Sequence, residues 1–173
     1  MLISLLGYMG SGKSHISKML SQKIGFDLMD LDTEIAKKIG MSVLEIFEKK
    51  GEIFFRKEER EVLENLLNTT ENTVISLGGG TPAYFNNMEI INEKSESIFL
   101  RTSVKTLSER LLKQKNRRPL ISKISDENLP EFIAKHLFER NPFYNKAKIT
   151  INSDDKTAEQ ICEEIASRLK IIN

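Results

Sequence analysis

Short, continuous apolar runs alternate with longer amphipathic segments along most of the chain. The apolar runs are rich in Ile, Leu, Val and Phe and predict strands at residues 2–6, 26–32, 73–77, 97–100 and 148–151. In the amphipathic segments apolar residues recur at helical spacing, which predicts helices over residues 15–24, 33–39, 42–50, 52–67, 104–113, 128–140 and 157–171. This alternation indicates the α/β class: a five-stranded parallel sheet flanked by helices on both faces, with ligands at the carboxyl ends of the strands.

Two segments interrupt the alternation. Three helical pieces follow one another between the second and third predicted strands. Further along, residues 114–126 are polar, basic and without a clear period. A loop of that length in a compact domain usually has a function, and we interpret it as a lid.

A phosphate-binding sequence lies between the first strand and the first helix. Residues 7–14 read Gly-Tyr-Met-Gly-Ser-Gly-Lys-Ser, which has the spacing G-x-x-x-x-G-K-[ST]. Glycines allow successive backbone N–H groups to converge on phosphates, and the helix N-terminus adds partial positive charge. Lys13 is expected to reach the β- and γ-phosphates, and Ser14 to ligate Mg²⁺. The strand, loop and helix context favours nucleotide binding over a chance Gly-rich turn.

Two carboxylates follow the second predicted strand. Asp30 and Asp32 are two residues apart, so in an extended backbone they would point to the same side. One carboxylate could hold the hydration shell of Mg²⁺ while the other accepts a hydrogen bond from a substrate hydroxyl. Because Asp also caps helices, the spacing alone leaves a capping role open.

An arginine and a glutamate lie three residues apart on the long helix after Gly51. Arg56 and Glu59 fit an ordinary surface ion pair, and they also fit a guanidinium held in place to grip an anionic substrate. Nearby aromatic residues would supply apolar walls for such a site: Phe47, Phe54 and Phe55. The charge pattern leaves both interpretations open.

Three glycines, Gly78 to Gly80, follow the third predicted strand. Many phosphate-loop enzymes carry a metal-supporting Asp there, so in this chain Asp30 is the candidate for that role. Glycine at a strand end also lets a ligand approach backbone N–H groups closely. The next residues, Thr81 and Pro82, have the form of a helix N-cap and first helical residue.

Arginines in the basic segment offer positive charge for phosphoryl transfer. Arg117 and Arg118 lie in the segment, and Arg140 ends a predicted helix. Each fits a solvated surface residue, but an arginine delivered to the transferred group can supply roughly 10³ to 10⁵ in rate.

Composition limits the partners. The 173 residues fit one domain, and 26 Lys and Arg against 25 Asp and Glu give a net charge of +1, which disfavours nucleic acid as a partner. The sequence has no signal-peptide pattern and no apolar run long enough for a membrane span, so we expect a cytoplasmic protein without membrane contact. We also expect a monomer. The single cysteine, Cys162, is spaced as a core residue of the last helix.

These motifs together resemble the shikimate kinase family from end to end. The resemblance rests on six motifs in the family's order: residues 7–14, 30–32, 55–59, 78–80, 118–120 and 139–144. It implies a phosphate-loop kinase fold in the nucleoside-monophosphate-kinase style, as one kinase domain over residues 1–173. It further implies a helical substrate-binding insertion over about residues 33–67 and a mobile lid over about residues 113–126.

The resemblance also implies ATP and Mg²⁺ as cofactors and shikimate as substrate. The implied catalytic residues are Asp32, as candidate base, with Lys13 and Arg118. The implied ATP-binding residues are Gly10, Ser11, Gly12, Lys13, Ser14, His15, Arg110, Arg118 and Lys156. The implied shikimate-binding residues are Asp32, Val43, Phe47, Phe55, Arg56, Glu59, Gly78, Gly79, Gly80 and Arg140. Ser14 and, through water, Asp30 are the implied metal site.

The implied reaction phosphorylates the 3-hydroxyl of shikimate in the chorismate pathway to aromatic amino acids. Two alternatives share the phosphate loop: another small-metabolite kinase such as gluconate kinase, and a nucleotide-binding homologue without catalysis. The pair Arg56 and Arg140, together with the glycine triplet that begins at Gly78, argues against the first. The presence of Lys13 and Asp32, together with a lid arginine, argues against the second.

Overall fold

A computed structural model describes residues 1–115 and 119–171 of the chain. The strands in these residues are β1 Leu2–Leu6, β2 Asp27–Asp30, β3 Thr73–Ser76, β4 Glu96–Arg101 and β5 Ile149–Asn152. The α-helices are α1 Lys13–Ile24, α2 Leu31–Ile39, α3 Val43–Lys50, α4 Glu52–Leu67, α5 Asn87–Lys94, α6 Val104–Leu112, α7 Pro119–Ser122, α8 Leu129–Tyr144 and α9 Ala158–Arg168. The predicted α/β class is confirmed.

Every strand pairing in the sheet is parallel, and the strand order is β2-β3-β1-β4-β5. Strand β3 therefore lies between β1 and β2. Its last residue, Ser76, pairs with Leu5 on one side and with Asp30 on the other. The three segments that follow these strands leave the same edge of the sheet side by side, which brings the phosphate loop, the aspartates and the glycine triplet together.

Two hydrophobic cores cover the two faces of the sheet, because side chains alternate between faces along each strand. Leu5 and Ile98 belong to the core that α1 and α9 cover. Leu6 and Phe99 face the other core, which the helices between β2 and β3 cover together with α6 and α8. Cys162 is buried in the first core, as predicted.

Helices α2, α3 and α4 form a compact layer over residues 31–67 and contact one another. A capping box between Ser42 and Glu45 starts α3, and Gly51, with φ of 84°, separates α3 from α4. The first turns of α4 carry Arg56 and Glu59. This layer corresponds to the three consecutive helical pieces read from the sequence.

The sequence reading of the segment after β3 was wrong. Thr81 does not cap a helix; Gly80 precedes a 3₁₀ turn over Thr81–Ala83 that contains Pro82. Helix α5, Asn87–Lys94, was not predicted, because it is short and begins without a side-chain cap. Its stability comes from tertiary packing of buried Met88 and Ile91.

Helix α8 also extends beyond its predicted end. It continues from Arg140 through Pro142 to Tyr144, whose side chain is fully buried. A proline inside a helix removes one backbone hydrogen bond, which made the earlier end the natural prediction. The burial of Tyr144 stabilises the additional turn.

Within the segment predicted as an aperiodic lid, the described residues include a helix and a side chain of the core. Helix α7 lies within it, and the Ile121 side chain is fully buried. An ion pair of 2.5 Å between Lys115 and Asp126 joins the two sides of the segment. Arg117 and Arg118 lie outside the described residues.

No helix within residues 1–115 and 119–171 is both long and apolar enough to cross a bilayer.

Candidate active site

A cavity of about 520 Å³ opens where β1, β2 and β3 end. The predicted site residues on its wall are Gly10, Ser11, Gly12, Lys13, Ser14, His15, Asp30, Asp32, Gly78, Gly79, Arg110 and Lys156. Each ATP-binding candidate that the structure describes therefore lines one cavity. The remaining candidate, Arg118, lies outside the described residues.

The phosphate loop joins β1 to α1 and leaves the start of α1 open. Gly12 is the N-cap with φ of 95°, a conformation that favours glycine, and no side chain caps this helix. The first backbone N–H groups of a helix have no partner within the helix. Their partial positive charge, at the wall of the cavity, suits phosphate oxygens.

Two cationic side chains hold the loop from opposite ends. The buried Lys13 ammonium donates hydrogen bonds to the carbonyls of Gly7, at 2.8 Å, and Tyr8, at 3.0 Å. Arg110 Nη1 donates to the carbonyls of Gly10 and Ser11, both at 3.3 Å. The loop conformation is therefore stabilised before a nucleotide binds.

The cavity wall contains two further ATP-binding candidates. Lys156 forms an ion pair of 2.6 Å with Glu164. His15, in the first turn of α1, is exposed. Both line the cavity, and their contact with a nucleotide stays a prediction.

The two aspartates reach the cavity by different routes. Strand β2 ends at Asp30 and α2 begins at Leu31, so the expectation of an extended backbone through Asp32 was wrong. The reason is local: Asp30 caps α2, and its Oδ1 accepts hydrogen bonds of 3.0 Å from Thr33 N–H and Thr33 Oγ1. Asp30 therefore combines the capping role with a position on the cavity wall.

Asp32 lies in the first turn of α2 in a partly buried position. Burial raises its pKa to about 6; the carboxylates of Asp30 and Glu59 also raise the pKa, while Lys13 and Arg56 lower it. A carboxyl group in this range can accept a proton near neutral pH. A Cβ atom on Gly78 would lie 3.0 Å from Asp32 Oδ1, so glycine at that position leaves room beside the carboxylate.

Arg56 and Glu59 form a buried ion pair. Arg56 Nη1 lies 2.8 Å from Glu59 Oε2, and the two side chains are 11% and 1% exposed. The other glutamate oxygen accepts a hydrogen bond of 2.7 Å from Thr81 Oγ1. Burial lowers the pKa of Arg56, but Glu59 more than offsets this effect, so the pKa lies above its ordinary value. The burial rules out the surface-pair interpretation.

Aromatic rings surround the Arg56 guanidinium. Its Cζ atom lies 3.8 Å from the centroid of Tyr84, 5.1 Å from that of Phe55 and 5.9 Å from that of Phe47. The rings of Phe47 and Phe55 lie 4.5 Å apart, and Val43 packs at the edge of the same core. These residues form an apolar wall on one side of the arginine.

The space above Gly80 is bounded by two guanidinium groups. A Cβ atom placed on Gly80 would lie 2.7 Å from Arg56 Nη2 and 2.9 Å from Arg140 Nη1. Arg140 Nη1 is buried and has no hydrogen-bond partner among the described residues. Two converging guanidinium groups with a donor left over are suited to a carboxylate.

Two contributors to this site were not identified from the sequence. Tyr84 stacks on Arg56, and its hydroxyl donates a hydrogen bond of 2.6 Å to Glu52. Tyr144 donates a hydrogen bond of 2.5 Å to the carbonyl of Gly79. Tyr144 belongs to the motif at residues 139–144, which offered a signal; nothing in the sequence connects Tyr84 to Arg56.

The structure therefore brings the predicted residues into two adjoining groups. Phosphate-binding groups line the cavity, while Val43, Phe47, Phe55, Arg56, Glu59, Gly80 and Arg140 form the neighbouring anion site. Asp32, Gly78 and Gly79 lie between them: Gly78 is close to Asp32, and a Cβ on Gly79 would lie 3.5 Å from Met9 N in the phosphate loop. A phosphate loop beside a carboxylate and a separate acceptor site defines a small-molecule kinase of the phosphate-loop class.

Comparisons with known proteins identify the family. The family model for shikimate kinase matches residues 9–170. A shikimate kinase of Flavobacterium psychrophilum is 46% identical over 164 residues, which are 94% of this chain and 95% of that protein. The chain belongs to the shikimate kinase family, whose members are ATP-dependent transferases.

Solved structures agree with this membership. A crystal structure of shikimate kinase from Bacteroides thetaiotaomicron matches with a TM-score of 0.91 and 34% identity, over 98% of each chain. Shikimate kinase from Acinetobacter baumannii in complex with shikimate matches with a TM-score of 0.87 and 31% identity, over 98% of this chain and 92% of that one. The predicted phosphate-loop kinase fold is confirmed.

Proposed function

We propose that this chain transfers the γ-phosphate of ATP to the 3-hydroxyl of shikimate, giving shikimate 3-phosphate and ADP. The observation that carries the proposal is the anion site above Gly80, where Arg56 and Arg140 converge beside Asp32. The acceptor would need both a carboxylate for the arginines and a hydroxyl for the aspartate. Shikimate has both groups.

In the proposed complex the two arginines grip the acceptor carboxylate. The 2.8 Å ion pair with Glu59 orients the Arg56 guanidinium before the acceptor binds. The aromatic wall of Phe47 and Phe55, with Val43 at its edge, would pack against the acceptor ring. The backbone of Gly78 to Gly80 would contact ring hydroxyls.

Asp32 would accept a hydrogen bond from the attacking hydroxyl and receive its proton as the new P–O bond forms. The carboxylate is the competent form, and a pKa of about 6 leaves it ionised at neutral pH while keeping it basic enough to take a proton. Gly78 leaves space for the hydroxyl beside Oδ1.

On the nucleotide side, the phosphate loop would bind the phosphates through the open N-terminus of α1. Lys13 would exchange its two carbonyl partners in the loop for phosphate oxygens. Arg118 would add positive charge when the lid over residues 113–126 closes, which would also exclude water. Arg110 and Lys156 would lie around the adenine, and His15 would contact the nucleotide from its position next to Ser14.

The site suits Mg²⁺ held jointly with the nucleotide. The Ser14 hydroxyl and the Asp30 carboxylate line the same cavity, and no cluster of three or more His, Cys, Asp or Glu suited to a metal occurs among the described residues. Mg²⁺ keeps several waters and commonly takes one or two carboxylates together with substrate phosphates, so this sparse donor set fits it. Ser14 would bind the ion directly and Asp30 would hold its water. When bound, the ion neutralises charge on the phosphates.

One assay tests the proposal against its rivals. ADP release is measured with Mg·ATP and, separately, shikimate, gluconate or nucleoside monophosphates, each at saturating concentration. Shikimate is expected to support turnover, and the other acceptors are not. Turnover with gluconate but not shikimate would overturn the choice of acceptor, and ATP binding by calorimetry without any turnover would favour a non-catalytic homologue. The cytoplasmic location and the monomeric state stay predictions; light scattering during gel filtration checks the second.

A further inference from the structure

One histidine occupies the space between the phosphate loop and the anion site. His136 lies on α8, one turn before Arg140. Its Nδ1 lies 2.9 Å from the Tyr8 hydroxyl of the phosphate loop, and its Nε2 lies 3.4 Å from Arg140 Nη2. The Tyr8 and His136 rings meet edge to face with centroids 5.4 Å apart, and Phe132 packs against the imidazole at 5.6 Å. Polar contacts therefore fix the two ring nitrogens, and the rings of Tyr8 and Phe132 pack against the imidazole.

The donors around the ring determine its tautomer. A guanidinium has only donors, so Nε2 must be the acceptor in its contact with Arg140. In a neutral imidazole the proton then lies on Nδ1, which donates to the Tyr8 oxygen. The doubly protonated ring would place an N–H group against the guanidinium and lose this contact.

The contact also determines which donors Arg140 offers to a ligand. Nη2 is occupied by His136, whereas the buried Nη1 points toward the space above Gly80 and has no partner among the described residues. A guanidinium rotates readily about its side-chain torsions when no partner restrains it. The histidine restrains this rotation from one side and leaves Nη1 directed at the anion site.

We propose that His136, as the neutral Nδ1–H tautomer, is a positioning residue that fixes the Arg140 guanidinium for the acceptor carboxylate and ties it to Tyr8 of the phosphate loop. The inference rests on the proposed function, because it concerns the acceptor of that reaction. His136 touches neither reacting atom; it acts through Arg140. Its charge state consequently regulates acceptor binding.

The charged and titratable groups that face the imidazole are Arg140 and Glu139 on its own helix and Tyr8 from the phosphate loop. Burial and Arg140 lower the pKa of His136, and Glu139 opposes them, so the net shift is downward. The neutral ring that holds Arg140 therefore prevails at neutral pH. Acidification below the ordinary histidine range, about pH 6.5, protonates the ring and weakens the grip on the acceptor.

The test compares two replacements of His136 in the whole chain. His136→Phe keeps a ring against Tyr8 and Phe132 but has no acceptor for Arg140. His136→Gln keeps an acceptor that does not titrate. Phe138→Gln, at a side chain on the same helix that is 80% exposed, serves as the matched control. Initial rates are measured with shikimate varied at saturating ATP and with ATP varied at saturating shikimate, from pH 5.5 to pH 8.

We expect His136→Phe to raise the shikimate KM roughly three- to ten-fold at pH 8, because a long hydrogen bond to a charged group is lost, with kcat and the ATP KM within about twofold of the wild type. His136→Gln is expected to restore the shikimate KM to within about twofold of the wild type. In the wild type the shikimate KM should rise on acidification; in His136→Gln that rise should be reduced. Phe138→Gln should behave as the wild type.

An unchanged shikimate KM in His136→Phe overturns the proposal, and so does an acidic rise in KM that persists fully in His136→Gln. A fall in kcat with equal rises in the shikimate KM and the ATP KM, and a lower melting temperature, would indicate a purely structural role. This result in both His136 variants would also overturn the proposal. If the wild type does not phosphorylate shikimate at all, the proposed function fails. Normal wild-type turnover with no response in the variants defeats this inference alone.

Discussion

The guanidinium of Arg56 stacks on the ring of Tyr84, with 3.8 Å between Cζ and the ring centroid. Arg140 approaches the same ring from 5.5 Å. One tyrosine therefore contacts both arginines of the anion site. Its ring packs against the two guanidinium groups, while its hydroxyl donates a hydrogen bond to Glu52.

This relationship predicts different effects for the two parts of Tyr84. Tyr84→Leu removes the aromatic face and should raise the shikimate KM roughly three- to ten-fold, because a partly buried cation–π contact is worth about 1 kcal/mol. Tyr84→Phe keeps the face and loses only the bond to Glu52, so its KM should stay within about twofold. Steady-state kinetics on both variants check this, and equal KM values in the two would contradict a role for stacking.

Gly80→Ala should block the anion site while leaving the fold intact. The backbone of Gly80 has φ of −88° and ψ of −21°, which alanine adopts without strain. The new methyl group would lie within 3 Å of both guanidinium groups, so the arginines must move away from their converging positions. The shikimate KM should rise at least roughly tenfold, since charge-assisted hydrogen bonds to the acceptor are displaced. The ATP KM and the melting temperature provide the internal controls, and a normal shikimate KM would contradict the assignment.

Arg56→Ala should weaken both acceptor binding and stability. Loss of a charge-assisted pair should raise the shikimate KM roughly ten- to a hundred-fold, with less effect on ATP. The same change leaves Glu59 buried without its ionic partner, which should lower the free energy of unfolding by about 1–3 kcal/mol. Urea unfolding of Arg56→Ala, Glu59→Gln and the double variant measures the coupling. Strictly additive losses would contradict a buried pair.

Asp32→Asn should depress kcat and, unusually for a site residue, stabilise the free protein. The pKa of the folded carboxyl, about 6, lies above its ordinary value of 3.8, so the contribution of Asp32 to the stability of the wild type is greatest below pH 4 and is lost as pH rises through 6. The isosteric amide avoids that loss and should gain about 1–3 kcal/mol at pH 8 relative to the wild type. Thermal melts of both proteins without nucleotide or metal, at pH 5 and pH 8, test this. The advantage should shrink at pH 5; an equal difference at both pH values would contradict the raised pKa.

Much of the fold followed from local pattern, because the strands are short apolar runs and the phosphate loop has a fixed spacing. Boundaries failed where side chains form specific turn contacts. Asp32 was assigned to an extended run, but the hydrogen bond between Asp30 and Thr33 starts α2 at Leu31, two residues earlier than predicted. Helix α5 was not predicted, because its stability comes from buried Met88 and Ile91 rather than from a cap or a long apolar face.

In the site, too, features set by neighbouring residues in the sequence could be predicted, whereas features set by contacts between distant segments could not. The spacing of Arg56 and Glu59 is the same on a surface helix as in a buried site, so charge pattern left the choice open. Burial was decided by Thr81 and Tyr84, which come from a segment more than twenty residues later. His136 had no sequence signal, since its meaning depends on Tyr8 being opposite it in space.

The position of β3 between β1 and β2 has a consequence for the range of acceptors. Neighbouring strands are about 4.8 Å apart, so the phosphate loop after β1 and the aspartate after β2 start about 9–10 Å apart. That separation is set by backbone hydrogen bonds across the sheet and does not depend on any one side chain. Single substitutions in the acceptor pocket should therefore readily change which functional groups of the acceptor are tolerated. They should have less effect on the size of the molecule that fits between the phosphate loop and the aspartate.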